Sequence, residues 1–180
     1  MTTPESLERR VQALEERTQA LEDLTAIMKL KAGYAQLCDA RQFAKGKKEL
    51  KIIADELANL FTEDGVWDGG EGYGVCKGRR EIYGHFVQQV HKLSVHYFMT
   101  PHITVKGNKA RGRWYLFCPI MTPYDRALWT AAFQDDEYVK MNGQWLQSRM
   151  KMTMVFLAPY EEGWAKKRMA APEEMTWAKS

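Results

Sequence analysis

The periodicity of the sequence changes from helical to strand-like at one place, Leu60-Phe61-Thr62-Glu63-Asp64-Gly65-Val66-Trp67. Upstream of it, apolar residues recur at helical spacing and share one face: Leu50, Ile53, Leu57, Leu60 and Phe61. The polar run from Thr62 to Gly65 is typical of a turn. Val66-Trp67-Asp68 then begins a strand, so this stretch predicts a helix that turns directly into a sheet.

Two more helical regions are predicted on either side of this junction. Before it, residues 5–30 carry Leu7, Leu14 and Leu21 at heptad spacing, and a helical pattern continues over residues 23–40. After it, residues 79–91 place their apolar side chains on one helical face. The glycine-rich run 69–74 lacks the Lys and Ser/Thr of a phosphate loop, so we interpret it as a lid or hairpin at the mouth of a pocket.

The rest of the chain is predicted to be strands up to residue 158. The segments richest in β-branched and aromatic residues are 94–99, 102–106, 110–118, 128–141 and 145–157. Asn142-Gly143 is a strong hairpin signal between the last two. Helices followed by long antiparallel strands predict an α+β fold, with the helices on one face of a curved antiparallel sheet. The tail, residues 159–180, is expected to be irregular.

Composition excludes several classes of function. The net charge of +3 is too small and too dispersed for a nucleic-acid-binding protein, and no apolar run is long enough to span a membrane. The 3 cysteines are far apart and lack the spacing of a disulfide framework or a zinc site. No secretory signal is present, so a cytoplasmic location is the default expectation. The 6 Trp, 8 Tyr, 7 Phe and 10 Met suit either a roomy apolar pocket or a softly packed core.

The heptad leucines suggest a role for the N-terminus. We expect residues 1–22 to form a helical arm, residues 23–158 the main domain and residues 159–180 a tail. The arm either packs on a neighbouring subunit or lies on its own domain, and we favour the first arrangement. A homo-oligomer, dimer or trimer, is therefore expected to form through this arm.

The junction and three later motifs resemble one protein family. Cys76-Lys77-Gly78-Arg79-Arg80-Glu81-Ile82 follows the junction, and Gly112-Arg113-Trp114-Tyr115-Leu116 and Asn142-Gly143-Gln144-Trp145 come later in the same order. Together they are similar to the SnoaL-like branch of the nuclear-transport-factor-like superfamily. The resemblance implies a cone-shaped sheet with three helices packed on its concave face. It does not imply one function, since this fold hosts hydratases, isomerases, cyclases and binding modules.

A narrower resemblance names candidate catalytic residues. The stretch Leu30-Lys31-Ala32-Gly33-Tyr34 with Asp39, and Ser94-Val95-His96 with Thr100-Pro101, is similar to bile-acid dehydratases and, more distantly, scytalone dehydratases. It implies that His96 is the general acid and base, that Asp39 orients it, and that Tyr34 binds an oxygen. Tyr34 and Asp39 lie about 140° apart around a helix, so the helix must end or bend between them if both are to face one pocket.

Two departures suggest a different substrate. Cys118 stands where those dehydratases have a second acidic residue, and Met154 lies near the position of their late-strand arginine. The same superfamily contains lyases that convert lignin-derived diarylpropane diols into a stilbene and formaldehyde, and the surplus of aromatic residues and Met suits such a substrate. We expect Trp67, Trp114 and Cys118 to contact it.

The face of the last strand that lines the pocket is left open by the sequence. One face carries Met150, Met152 and Met154, and the other carries Arg149 and Lys151, so Lys151 is a candidate substrate-binding residue only if the second face is inside. A single bulge would exchange the two faces. The remaining histidines, His85, His91 and His102, are interpreted as surface or core residues.

These observations predict a cofactor-independent lyase that removes a hydroxyl group from a bulky hydroxylated aromatic substrate. No metal-ligand pattern is present in the sequence. A bile-acid-type dehydratase is the nearest alternative, and a non-enzymatic ligand-binding module is the alternative of another class. A ketosteroid-type isomerase would instead need an acid facing a phenol inside the pocket.

Overall fold

Four helices pack against the sheet or extend from it in the computed structural model, which describes residues 4–70, 72–88 and 91–171. They are α1 (Pro4–Ala40), α2 (Lys47–Asn59), α3 (Gly78–Phe86) and the one-turn α4 (Gly163–Lys166), with a 3₁₀ turn at Arg41–Phe43. The two predicted N-terminal helical patterns form one continuous helix of 37 residues. Helix α3 ends at Phe86, earlier than the predicted 91.

Seven strands form one curled sheet within the described ranges. They are β1 (Phe61–Asp68), β2 (Val75–Lys77), β3 (Leu93–Ser94), β4 (Tyr97–Lys106), β5 (Lys109–Met121), β6 (Ala127–Met141) and β7 (Gln144–Pro159). The order is β2-β1-β7-β6-β5, and β3 and β4 both pair with β5. Strands β1 and β7 pair in parallel, and the other neighbours in this sheet are antiparallel. The predicted α+β fold, with helices against a curved sheet, is confirmed.

The helix-to-strand junction forms as predicted, with adjusted boundaries. Helix α2 ends at Asn59, and β1 already begins at Phe61. Phe61 pairs with Gln147 and Val66 pairs with Arg149, so the register of β1 shifts between them. Residues 62–65 form this irregularity in β1, at the place where a turn was predicted. Gly78 begins α3 with a φ of 77°, and a side chain there would stand 3.2 Å from the Glu63 carbonyl oxygen. Glycine therefore lets the chain turn tightly into the third helix.

The predicted strand 94–99 is interrupted. Ser94 ends β3 and Tyr97 begins β4, so His96 lies in the short connection between two strands and not within one. The second half of the predicted strand 94–99 and the predicted strand 102–106 belong to the single strand β4. Its register shifts between Met99 and His102, where Thr100 has a φ of 46°. The gap before β4 places His96 where β3 and β4 part.

A bulge in β7 decides which face of the last strand is inside. Glu137 pairs with Arg149 and Tyr138 with Gln147, so Ser148 is an extra residue on β7. Before the bulge Trp145 and Gln147 are buried, and after it Met150 and Met152 are buried. The methionine face therefore points into the cone. Lys151 lies on the outer face and is exposed, so it cannot line the interior as a substrate-binding residue.

The interior is divided between two clusters. The larger lies between the helices and the sheet and includes Leu57, Phe61, Ile82 and Met150. The smaller contains Ile27, Trp114, Tyr138 and Trp145, under the middle of α1. Beside it the buried Lys31 Nζ donates to Asp136 Oδ2 at 2.7 Å and to Gln134 Oε1 at 2.5 Å. Burial lowers the pKa of Lys31, and the pairing with Asp136 opposes that shift.

The first half of α1 extends away from this domain. None of residues 4–22 is buried, and the first buried position in the helix is Asp23, which binds Lys140 and Trp145 at 2.8 Å each. Leu7, Leu14 and Leu21 are 55%, 57% and 64% exposed. The predicted arm thus projects, and a helix lying on its own domain does not describe residues 4–22.

The segment after β7 is partly ordered by contacts with the sheet. Helix α4 brings Trp164 against Phe156, with ring centroids 5.1 Å apart. Met169 bridges to Leu157, and Ala170 is buried in the larger cluster. Residues 172–180 of the predicted irregular tail lie outside the described residues. Within the described part of the chain, no helix is both long and apolar enough to cross a membrane.

Candidate active site

His96 and Asp39 form a hydrogen-bonded pair at the end of α1. His96 Nδ1 lies 2.6 Å from Asp39 Oδ1, and the backbone N–H of His96 donates to both carboxylate oxygens at 3.1 and 3.2 Å. A carboxylate only accepts, so Nδ1 carries the hydrogen and Nε2 is the atom left for a reacting group. Bonds from both the ring and the backbone to one carboxylate fix the position and the tautomer of the imidazole.

Gln42 holds the pair in place from the other side. Its side-chain amide donates to the carbonyl oxygens of Asp39 and Ser94 at 3.0 and 2.9 Å, and its oxygen accepts from the Ser94 N–H at 3.3 Å. Helix α1 and strand β3 are thereby joined next to the pair. Gln42 can make these bonds because α1 ends in the 3₁₀ turn Arg41–Phe43, which directs the Gln42 side chain towards the sheet.

A cavity opens beside His96. It lies between the helices and the sheet and is open to solvent on one side. The half-buried part of its wall is polar and includes Arg41, Gln42, Tyr73, His85, His91 and His96. The deeper part is mostly apolar and includes Trp67, Phe86, Leu116, Cys118, Ile120 and Met152. An apolar cavity with a few convergent polar groups is the usual form of a small-molecule site.

Tyr34 lies in the deep wall. Its hydroxyl accepts a hydrogen bond from Trp67 Nε1 at 2.9 Å, and its ring contacts those of Phe61, Phe86 and Phe98. Burial raises the pKa of Tyr34 well above its usual value, so the phenol stays protonated and keeps a hydrogen to donate. Helix α1 runs through Gly33 without a break, and Asp39 is bonded to His96 and does not itself line the cavity. No bend between Tyr34 and Asp39 is therefore needed.

The remaining predicted binding residues separate into two groups. Trp67 and Cys118 line the cavity. Trp114 does not: it is buried in the smaller cluster, where its Nε1 donates to Tyr138 Oη at 3.0 Å. Trp114 and Cys118 both point inward from β5, but Trp114 lies nearer the middle of α1, which covers it. Lys151 is on the outer face of β7 and does not reach the cavity either.

Sequence reasoning missed many of the cavity residues, among them the four polar ones Arg41, Tyr73, His85 and His91. His85 lies against Trp67 with ring centroids 4.2 Å apart, and Tyr73 Oη lies 3.3 Å from His91 Nε2. Burial, together with the charge of Arg41, lowers the pKa of His85 to about 4 and that of His91 to about 3, so both are neutral near pH 7. No local signal could have found these four, because they come from separate segments of the chain. The third of the remaining histidines, His102, is exposed, as interpreted from the sequence.

Family membership follows from the match of the sequence over residues 19–151 to the SnoaL-like domain. The chain belongs to the SnoaL-like domain family. The match runs from just before the buried part of α1 to the inner methionine Met150 of β7, and it includes Tyr34, Asp39, His96 and Cys118. The predicted family is therefore confirmed.

Solved structures resemble this SnoaL-like domain in fold. A hexachlorocyclohexane dehydrochlorinase, LinA-type3 from Novosphingobium barchaimii LL02, is 22% identical, with a TM-score of 0.65 over 79% of this chain and 93% of that one. A candidate scytalone dehydratase from Novosphingobium aromaticivorans DSM 12444 is 21% identical, with a TM-score of 0.64 over 80% and 91%. A candidate aromatic ring hydroxylase from Novosphingobium aromaticivorans is 23% identical, with a TM-score of 0.66 over 77% and 94%. At these identities the likeness establishes the fold.

The SnoaL-like domain has no clustered metal ligands in its described part. Within residues 4–70, 72–88 and 91–171, no group of three or more His, Cys, Asp or Glu side chains is arranged to bind a metal ion. The three cysteines are free thiols. Burial raises the pKa of Cys38 to about 12, so this thiol stays protonated and is a poor nucleophile.

Proposed function

We propose that this SnoaL-like domain is a cofactor-independent lyase that eliminates a hydroxyl group from a bulky hydroxylated aromatic substrate. The observation that carries the proposal is the His96–Asp39 pair, 2.6 Å apart, in the wall of a largely apolar cavity. Such a pair supplies a proton donor and acceptor at neutral pH. The names of two structural neighbours, a dehydrochlorinase and a candidate scytalone dehydratase, both denote eliminations and support the same class.

The preferred substrate is a phenolic diarylpropane diol. Protonated His96 gives its proton to the benzylic hydroxyl, which leaves as water while the para-phenolate pushes electrons through the ring to form a quinone methide. Neutral His96 then takes the proton of the neighbouring hydroxymethyl group. The carbon–carbon bond breaks, formaldehyde leaves, and the electron pair forms the stilbene double bond and restores the phenolate. The diol thus yields a stilbene, formaldehyde and water, and His96 returns to its starting state.

Each wall of the cavity has a part in this scheme. Asp39 stabilises the imidazolium and keeps its Nε2 towards the substrate. Tyr34, protonated and fixed by Trp67, donates to a substrate oxygen. The aromatic rings and Met152 pack against two aryl rings, since ring stacking and sulfur–ring contacts each add ~0.5–1.5 kcal/mol beyond burial. A bile-acid-type dehydratase would use the same pair on a different skeleton.

A binding module and a ketosteroid-type isomerase fit the site less well. A pure binding module needs no acid–base pair, yet His96 is oriented by three bonds to one carboxylate. A ketosteroid-type isomerase would need an acid facing a phenol in the cavity. Here Asp39 is engaged by His96 and does not line the cavity, so it does not face the Tyr34 phenol as that mechanism needs.

The direct test is turnover by the native protein. After treatment with a chelator and without added cofactor, it is expected to convert a phenolic 1,2-diarylpropane-1,3-diol into the corresponding stilbene. Formaldehyde should be released in equal amount, and both products can be followed by absorbance and a coupled formaldehyde assay. Activity that appears only after a metal ion or a nicotinamide is added would refute the cofactor-independent proposal. A copurified ligand of another class, identified by mass spectrometry, would redirect the choice of substrate.

We further propose that the projecting arm mediates a homo-oligomer, a dimer or trimer. Its apolar side chains Leu7, Val11, Leu14 and Leu21 are all at least 46% exposed, and heptad spacing is typical of helices that pack on one another. Three heptads of exposed leucines on one subunit suit a like surface on another.

Removing residues 1–22 is expected to lower the subunit number while the domain remains folded, because burial begins at Asp23. Light scattering measures the first result and circular dichroism the second. Two matched full-length variants distinguish the effect of the leucine face from the effect of shortening the arm. Replacing Leu7, Leu14 and Leu21 with Gln should dissociate the oligomer, whereas the same change at Glu8, Glu15 and Glu22, one position later in each heptad, should not. A monomer before and after truncation would refute the proposal.

A further inference from the structure

The cavity wall contains a half-buried cation that the proposed reaction scheme does not use. Arg41 lies in the 3₁₀ turn after α1 and lines the cavity. Its Nη2 donates to the Gln88 carbonyl oxygen, and its guanidinium carbon lies 5.3 Å from the centroid of the Phe86 ring. Its Nε is buried and has no hydrogen-bond partner within the described residues. A buried donor without a partner is rare in native structures and calls for an explanation.

The positive charge of Arg41 is also unmatched locally. None of the ion pairs within the described ranges involves Arg41. The acidic residue nearest to it in sequence, Asp39, is paired with His96. Lys31, a buried cation near the cavity, is paired with Asp136 at 2.7 Å. The two histidines that Arg41 influences, His85 and His91, are neutral near pH 7. Arg41 is thus a permanent charge in this wall, and an anionic ligand would complete it.

The available donor limits the kind of anion. Carboxylates and phosphates usually bind arginine with two parallel bonds. In Arg41 one N–H of Nη2 is committed to Gln88 and Nε is enclosed by protein atoms, so the rest of the guanidinium fork is left to donate to a ligand oxygen. The surrounding rings, Phe86 and Trp67 among them, suit an aromatic body attached to that oxygen.

We propose that Arg41 binds the ionised para-oxygen of a phenolic substrate through its guanidinium group, so that the enzyme selects the phenolate. The inference rests on the proposed lyase function and deepens it. The phenolate is the form whose electrons expel the benzylic hydroxyl, and a charge-assisted hydrogen bond from Arg41 raises its population in the bound state. Arg41 is accordingly a substrate-binding residue that determines specificity for free phenols.

A binding experiment tests this without turnover. The probe is 4-hydroxy-4′-nitrostilbene, whose absorbance moves to longer wavelength when its phenol ionises. In the unaltered protein the bound probe should ionise at a lower pH than the free probe. In Arg41→Gln that shift should disappear, and the ionised probe should bind about 10- to 100-fold more weakly, the usual effect of a hydrogen bond to a charged group. Arg41→Lys, which keeps the charge but lacks the guanidinium group, should lie between.

Controls distinguish recognition from a structural role. Arg80→Gln makes the same charge change at an exposed position of α3 and should leave both quantities unchanged. The methyl ether, 4-methoxy-4′-nitrostilbene, carries no ionisable oxygen and should bind to the unaltered protein and to Arg41→Gln about equally. Equal weakening of the phenol and the ether in Arg41→Gln would make Arg41 a structural residue and overturn the proposal.

Further outcomes are equally decisive. A bound probe that ionises at the same pH as the free probe, or that does not bind to the unaltered protein, overturns the proposal. Dependence on Arg41 for stilbene-4-carboxylate but not for the phenol overturns the assignment to a phenolate. If the ionisation shift is found but no diol is turned over, the lyase function fails and the anion site stands. If the diol is turned over but the ionisation shift is absent, the lyase function stands and the anion site fails.

Discussion

Replacing His96 with Gln is expected to lower kcat by about 10²–10⁴-fold, the usual contribution of general acid–base catalysis. Glutamine preserves most of the volume and a hydrogen-bond donor towards Asp39, but it cannot exchange a proton near neutral pH. In the proposed scheme the same imidazole gives one proton and takes another, so both steps are affected. Steady-state rates of stilbene formation measure the loss, and circular dichroism verifies that the variant is folded.

The control for this change is His102→Gln. His102 lies on β4, in the strand that follows His96, and is exposed, so the identical substitution there should leave kcat within about twofold. Asp39→Asn provides a second comparison, because it keeps the shape of the pair but favours the wrong imidazole tautomer. It should lower kcat and change its pH profile with little effect on substrate binding. If His96→Gln keeps more than half of the parent activity, His96 has no part in the mechanism.

Methylation of the substrate's para-hydroxyl group should abolish turnover. The ether oxygen cannot become the neutral carbonyl of a quinone methide, so loss of the benzylic hydroxyl would have to leave a benzylic cation in the apolar cavity. The effect is expected to exceed that of any single substitution in the protein, because methylation removes the neutral intermediate itself and not only a catalytic group. Parallel assays of stilbene and formaldehyde from the phenol and its methyl ether give the comparison.

The position of the methyl group supplies the control. The second aryl ring is not attached to the carbon that loses its hydroxyl group. A substrate methylated on the hydroxyl of that ring therefore retains the para-phenolate that drives the reaction. It should therefore be converted at a rate similar to that of the parent diol. Undiminished turnover of the para-methyl ether would rule out the quinone-methide route while leaving His96 to act in a simple dehydration.

The residues of the His96–Asp39 pair were predictable, but the contacts that hold the pair in place were not. His96 and Asp39 were found through short motifs that resemble known dehydratases, and in the structure they lie 2.6 Å apart. Their supporting contacts were missed because they depend on the end of one helix and on a gap between two strands. Gln42 bonds to Asp39 and also to Ser94, which lies 52 residues after Gln42 in the sequence. The periodicity of the sequence cannot predict such a distant contact.

The inner and outer faces of the sheet were the main feature that the sequence left undecided. Strict alternation over β7 places Gln147 and Lys151 on one side, yet Gln147 is fully buried and Lys151 is exposed. The extra residue Ser148 lies between them and inverts the pattern. Trp114 shows a related limit: it points inward as expected, but α1 covers it and it does not reach the cavity.

The sequence by itself determined the class of fold, a helix-to-strand junction near Leu60 and a leucine-bearing helix at the N-terminus, and its resemblance to known dehydratases pointed to His96 and Asp39. The junction and the N-terminal helix depend on neighbours within a few turns of helix or a few residues of strand, where spacing and turn chemistry act directly. Only the tertiary structure decided that Arg41, His85 and His91 share a cavity, that Lys151 faces outward and that Trp114 is covered. Each of these depends on strand register, on bulges and on which helix packs over which strand, and a residue's local sequence carries little information about such distant partners.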